Sequence, residues 1–312
     1  MNILQKIITS IDRWQRQRPQ TSFPYAVIKK YGEDEAGYQA ALLTYYGFLS
    51  LFPLLLILTT LATIFGGQNE AFRETVVGGL TNYFPIFGEQ LSGQIQGINK
   101  SGAPLVIGIL FTLYGARGVA DAFRLGVNNI WQIPRTQRDG FPLAMGKSLA
   151  IIIVGGGGFL VASISSGFAA AAGAGLPFRI SALFINVFVL FWLFRFLINI
   201  SLPKRTGATH TRAGALSAAV GLVFLQSIGG IILAQQLKSL DAVYSYFALA
   251  LGLLFWLYLQ AQVVYYAVEI ASVRTLKLYP RGMSDTDLTP ADRRAYDQQT
   301  KQDRRVPAER PG

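Results

Sequence analysis

Six polar or charged side chains lie inside otherwise apolar stretches of the sequence. A charge at the centre of a bilayer costs at least about 2.5 kcal/mol, so ionisable residues in such stretches are functional candidates. Counted together with Arg124 and Lys147, these stretches carry four cations and two carboxylates, and the positive excess favours binding of an anionic head group. The six candidates are Arg117, Asp121, Arg195, Asn199, Gln262 and Glu269.

The spacing of these candidates predicts ion pairs. Arg117 and Asp121 are four residues apart, so they share a helical face and can pair with each other. Arg195 lies about 12 Å inside Pro203 along a helix, and Glu269 is the partner we expect for it across the bundle. The alternative is that long side chains reach the membrane surface and that the pairs only hold helices together.

The residue types present do not indicate an enzyme. The chain has one histidine, His210, and no cysteine, whereas hydrolytic metal sites need several converging ligands. The acidic run Glu33–Glu35 directly precedes an apolar stretch, where it suits a helix start. We therefore expect no catalytic residues, no metal and no cofactor. The net charge of +11 is spread over alternate connections, so nucleic acid is not an expected partner.

The candidates need a helical framework to position them. The first long apolar stretch of the chain runs from Ala40 to Phe65 and contains no charge. As a helix it is about 39 Å long, more than the roughly 30 Å of a bilayer core. Pro53 removes one backbone hydrogen bond near its middle, so we predict a kink after Ser50 that could shape or gate a cavity.

The whole chain reads as an all-α membrane protein. It is 51% hydrophobic and 14% charged, whereas soluble domains carry about a quarter charged residues. We predict an amphipathic cytoplasmic segment over residues 1–39, an outer amphipathic helical hairpin between the first two spans, and a disordered cytoplasmic tail over 279–312. The six predicted transmembrane helices lie at about 40–65, 103–123, 143–172, 180–202, 213–237 and 244–270.

The third predicted span is rich in small residues. Gly155 to Gly158 follow one another, and Gly158, Ala162, Ser166 and Ala170 form a ridge with a four-residue period. Small residues let helices approach closely in lipid. We therefore expect this helix to be central to the bundle.

The distribution of basic residues predicts the orientation. Of the 28 Lys and Arg residues, only Arg73, Lys100, Arg179 and Lys238 fall in the first, third and fifth connections. Because basic residues accumulate on the cytoplasmic side, both termini are predicted to be cytoplasmic. The expected location is the inner (plasma) membrane, crossed several times.

Several motifs resemble the YihY/virulence factor BrkB family, also called ribonuclease BN-like. The runs Ala41–Tyr46 and Ser50–Leu55 resemble its first span, and Leu113–Val119 followed by Asn129-Ile130-Trp131 resembles its second. Similar runs occur later in the chain at Phe194-Arg195-Phe196-Leu197 with Pro203, and at Trp256-Leu257-Tyr258 with Glu269. Near Glu269 the chain departs from the family pattern, with Ala267 and Ala271 in place of a glycine and an asparagine.

The resemblance implies a six-helix inner-membrane protein over about residues 25–275. Two functions are compatible with the residues. The first is transport or handling of an anionic lipid or envelope component through a polar cavity that faces the cytoplasm, with membrane lipids as partners. The second is a structural or assembly role in the cell envelope without transport.

Overall fold

The computed structural model describes residues 3–66, 103–170, 175–203, 211–237, 245–283 and 287–302. Its described part consists of helices: α1 (Ile3–Arg16), α2 (Pro19–Glu33), α3 (Ala36–Gly66), α4 (Ala103–Ile130), α5 (Leu143–Ala170), α6 (Leu176–Ser201), α7 (Thr211–Leu237), α8 (Ser245–Thr275) and α9 (Pro290–Gln302). A short 3-10 turn, Arg135–Gln137, connects α4 to α5. The predicted outer hairpin lies outside the described residues.

The long helices α3 to α8 stand where the six spans are predicted. Within the described residues, four segments are long and apolar enough to cross a bilayer: Leu143–Ala162, Ile180–Ser201, Thr211–Gly229 and Ala250–Thr275. α3 is continuous through Pro53, whose side chain lies outside the described part, so the predicted kink stays a prediction.

The bundle is held by apolar packing between neighbouring helices. α3 packs against α4 and α8, α7 lies between α8 and α6, and α6 packs against α5. The shared core is fully or nearly fully buried, and includes Phe123, Val127, Ile130, Leu190, Phe194, Ile198, Leu222, Tyr265 and Val268.

Glycines set the closest helix contacts. A Cβ on Gly115 of α4 would lie 2.6 Å from Cβ and 2.9 Å from Cα of Ser50, so the two backbones approach as only a glycine allows. A Cβ on Gly118 would enter the ring of Tyr46, one turn further along the same interface.

The third predicted span, α5, is not central. Only 11% of its apolar window is buried, against 33–39% in the three other windows. The described part of the ridge packs closely, because Ala162 is fully buried and a Cβ on Gly158 would lie 2.6 Å from Leu193. Gly156 and Gly157 have open space around them, so part of the small-residue run faces outwards.

The tail is not disordered over the whole predicted range, since it carries helix α9. Ala295 of α9 packs in one cluster with Val27 of α2, with Val273 in the last turn of α8 and with Leu278 just after α8. Composition predicts disorder here because the tail is highly charged, but its charges are paired with distant residues. Both terminal segments therefore lie at the same end of the bundle.

We call the packed assembly of α1, α2, residues 276–283 and α9 the terminal cap. One buried ion pair holds it together. The Arg281 Nε donates to Asp292 Oδ1 over 2.5 Å, and both side chains are fully buried. The Arg281 Nη2 also donates to both carboxylate oxygens of Glu33 at 2.9 Å. The tail is thus tied to the end of α2.

Candidate functional site

The candidate cation Arg195 lies in an open groove on the exposed face of α6. The groove has a volume of about 420 Å³ and is lined by Trp192, Arg195, Phe196, Asn199 and Ile200. The Arg195 guanidinium carbon stands 5.2 Å from the centre of the Trp192 ring, in a cation–π contact. The groove therefore combines a guanidinium, an amide and aromatic walls.

An exposed aromatic stripe leads along α6 to this groove. Phe184 is 72% exposed, Phe188 63% and Trp192 51%, each one helical turn from the next. In a spanning helix, side chains this apolar and exposed face lipid or another protein.

Arg195 has no acidic partner in the described part of the chain: no carboxylate there lies within 4 Å of its guanidinium, as the ion pairs between described residues involve other cations. The expected pair with Glu269 is wrong. α6 packs on α5 and α7, whereas Glu269 on α8 faces α2 and α4.

Glu269 instead pairs with Lys30 at the end of the bundle. Lys30 Nζ donates to Glu269 Oε2 over 3.1 Å and to the Ile130 carbonyl over 2.6 Å, and it also contacts Asp34. Glu269 and Lys30 are fully buried. Burial alone would lower the pKa of Lys30, but the negative charges of Glu269 and Asp34 raise it, so its ammonium stays charged.

Gln262 lies two turns before Glu269 on α8 and faces Tyr31 of α2. The Tyr31 ring stacks on Tyr266, with 3.9 Å between centroids and 7° between planes. Burial and the nearby hydroxyls of Tyr258 and Tyr266 raise the pKa of Tyr31 to about 12. This region is a packed junction between α2 and α8.

Arg117 and Asp121 form the predicted pair on α4. Arg117 Nε lies 3.6 Å from Asp121 Oδ2, and the Arg117 side chain is 66% exposed. Ser148 Oγ of α5 donates to Asp121 over 2.6 Å, so the carboxylate also links two helices. The six candidates thus lie in three separate places: the groove on α6, the α2–α8 junction, and the α4–α5 contact.

Sequence reasoning missed Lys30, the cation that pairs with Glu269, and the contact of Asp34 with the same lysine. Lys30 lies beside Lys29 in a polar segment, and no periodicity distinguishes the buried lysine from its neighbour. The acidic run does not serve a helix start: Asp34 accepts from Gln132 Nε2 over 3.1 Å and contacts Lys30, while Glu33 binds Arg281. The one available signal was the isolated buried carboxylate on α8, which required a cation.

Comparison with known protein families shows which family the chain belongs to. The family model described as virulence factor BrkB matches residues 27–287. The chain belongs to the virulence factor BrkB family. The resemblance in the motifs is thereby confirmed. Neither the curated proteins nor the solved structures that were compared contain a match.

The part of the chain that matches the BrkB family contains all three places. It begins at Val27, three residues before Lys30, and ends at Asp287, which accepts a 2.7 Å hydrogen bond from Arg16. Helices α1 and α9 lie outside the match. The groove, the α2–α8 junction and the α4–α5 contact therefore belong to the family region.

Proposed function

We propose that this BrkB family protein crosses the inner membrane six times, with both termini in the cytoplasm, and transports or handles an anionic lipid or lipid-linked envelope component. The proposed binding position is the groove at Arg195, not one enclosed polar cavity. The proposal involves no bond cleavage and no cofactor.

The observation that carries the proposal is the position of Arg195, a cation that has no carboxylate within 4 Å among the described residues. A guanidinium in an apolar spanning helix is costly unless a counter-charge or water satisfies it. Arg195 lies six residues before Ser201, so it stands about 9 Å inside the end of α6. A phosphate or carboxylate head group that entered the groove would supply the missing negative charge.

The shape of α6 supports an amphipathic ligand. Asn199, one turn beyond Arg195, adds an amide to the same groove, and the exposed rings of Phe188 and Phe184 continue towards the other end of the helix. A head group at one end and a hydrocarbon chain along the aromatic stripe would match this order of polar and apolar surface.

The orientation follows from the basic residues of the connections and from the common position of the two terminal segments. The end of the bundle that holds Lys30 and Arg281 is the one we assign to the cytoplasm. Arg195 lies towards this end of α6, so the head group would enter from the cytoplasmic leaflet.

The second candidate, an assembly role without transport, is favoured by the α2–α8 junction. Lys30 and Glu269 satisfy each other in a fully buried position, as a pair that serves folding would. Under this alternative the groove at Arg195 is an ordinary lipid-facing surface.

A translocation assay separates the two functions. The purified protein would be reconstituted into vesicles with fluorescent phosphatidylglycerol or fluorescent phosphatidylcholine in the inner leaflet. Transport predicts faster appearance of phosphatidylglycerol outside, little effect on phosphatidylcholine, and loss of the difference in Arg195→Ala. Equal rates with and without protein would favour the assembly role.

A further inference from the structure

Positive charge is concentrated where α4 ends and α5 begins, apart from the groove on α6. Two carboxylates beside these cations are already engaged: Asp139 accepts from Lys147 over 2.6 Å, and Asp121 accepts from Ser148 over 2.6 Å. The cations of this region are Arg124, Arg135, Arg138 and Lys147.

Arg124 is buried with part of its guanidinium unsatisfied. The residue is 7% exposed, and its Nε has no hydrogen-bond partner among the described residues. Its contact with Asp121 is 3.5 Å long, at the limit of a hydrogen bond. A buried charged N–H without an acceptor is unfavourable, so an acceptor is expected there.

Arg138, which directly follows the 3-10 turn after α4, is held in place by neutral groups. Its Nε donates to the Ile133 carbonyl over 3.1 Å, and its Nη2 donates to Asn129 Oδ1 over 2.8 Å. Within the described ranges no carboxylate lies within 4 Å of it. Burial, together with the positive charges of Arg135 and Arg124, lowers the pKa of Arg138.

We propose that Arg124, Arg135 and Arg138 form a binding site for a phosphate group at the end of α4. Arginine forks bind phosphate through paired hydrogen bonds, and one dianion would offset the repulsion among the three guanidiniums. The phosphate can belong to a soluble ion or to a lipid head group, since basic pockets at the cytoplasmic ends of spans bind lipid phosphates. The proposal is independent of the groove at Arg195.

The geometry restricts which atoms take part. Two donors of Arg138 are used by Ile133 and Asn129, which fixes its plane and leaves the rest of its fork for a ligand. Arg124 contributes the buried Nε, and Arg135 is exposed to solvent. Arg138 is thus the central residue for a test.

Binding would be measured on the full-length protein in detergent micelles by calorimetry with two probes: inorganic phosphate, and a short-chain phosphatidic acid with short-chain phosphatidylcholine as its reference. Arg138→Gln is expected to weaken binding of the effective probe by roughly tenfold or more, because a charge-assisted contact is lost. The control Arg293→Gln removes an exposed arginine of α9 and should leave binding unchanged.

The outcomes are distinct. Binding of inorganic phosphate that Arg138→Gln weakens would assign the site to a soluble phosphate, and binding of phosphatidic acid alone would assign it to a head group. Arg124→Gln should act in the same direction; should this buried substitution prevent folding, Arg138→Gln carries the test. Absence of binding by both probes, or equal binding by wild type and Arg138→Gln, would overturn the proposal. Arg195→Ala should leave this binding intact, so failure here is separable from failure of the groove.

Discussion

Lys30 Nζ lies 3.1 Å from Glu269 Oε2, although 239 residues separate them in the chain, and both side chains are fully buried. The contact joins the last turn of α2, which precedes α3 in the chain, to α8. Asp34 also contacts Lys30, so one ammonium serves two carboxylates. The N-terminal segment is therefore an integral part of the bundle.

The charge balance of this cluster predicts unequal effects of its two substitutions. Lys30→Met leaves two buried carboxylates without a cation and should lower the free energy of unfolding by about 3–5 kcal/mol. Glu269→Gln leaves one ammonium with one carboxylate and should cost less. Thermal unfolding in detergent measures both, and a larger loss for Glu269→Gln would contradict the assigned pairing.

The close contact between α3 and α4 predicts that Gly115→Ala is destabilising. The new methyl group would meet the Cβ and backbone of Ser50, which can yield only by separating the helices, at a cost of about 1–3 kcal/mol. Gly156→Ala on α5 is the matched control, since nothing lies within 4 Å of its added Cβ. Equal unfolding temperatures for the two variants would contradict the packing.

The terminal cap should depend on pH through Asp292. Burial opposes its ionisation, but hydrogen bonds from Arg281, the Gly282 amide and Thr289 hold the pKa of Asp292 well below its ordinary value of 3.8. Because the folded pKa is the lower one, this stabilisation is complete above pH 3.8 and is lost as pH falls towards the folded pKa.

Spin labels at Gln20→Cys and Asp297→Cys would report the cap directly in this cysteine-free chain. The distance distribution between them should stay narrow at pH 7 and pH 5 and broaden below about pH 3.8. Asp292→Asn should broaden it at pH 7. Asp287→Asn is the control. The Asp287 side chain is 78% exposed, so its ion pair with Arg16 should contribute under about 1 kcal/mol to stability.

The orientation can be tested with single cysteines. Gln90→Cys in the first connection should react with an impermeant thiol reagent added to intact cells, and the exposed Asp297→Cys on α9 should react only after lysis. Reaction of Asp297→Cys in intact cells would contradict cytoplasmic termini.

The sequence predicts helix positions well because hydropathy and helical period are local properties. The third span is predicted at 143–172 and α5 is Leu143–Ala170; the fifth is predicted at 213–237 and α7 is Thr211–Leu237. The second span is predicted seven residues too short, because Arg124 and the polar residues after it continue α4 as far as Ile130.

The sequence does not predict which side chains meet across helices. The sequence places Glu269 inside an apolar stretch, but whether Arg195 or Lys30 is its partner depends on which helix packs beside α8. The tail illustrates the same limit: its charges suggest disorder by composition, whereas Arg281 and Asp292 are buried against each other. Long-range pairing decides both cases.

The central claim is that Arg195 binds an anionic head group, and mass spectrometry of lipids retained by the purified protein tests it most directly. Wild type and the control Arg212→Ala, which removes an exposed arginine at the start of α7, should retain the same anionic lipid. Arg195→Ala should retain one such lipid fewer while unfolding at a similar temperature, and Arg195→Lys should be intermediate. Identical lipid content in all four proteins would contradict the claim and favour the assembly role.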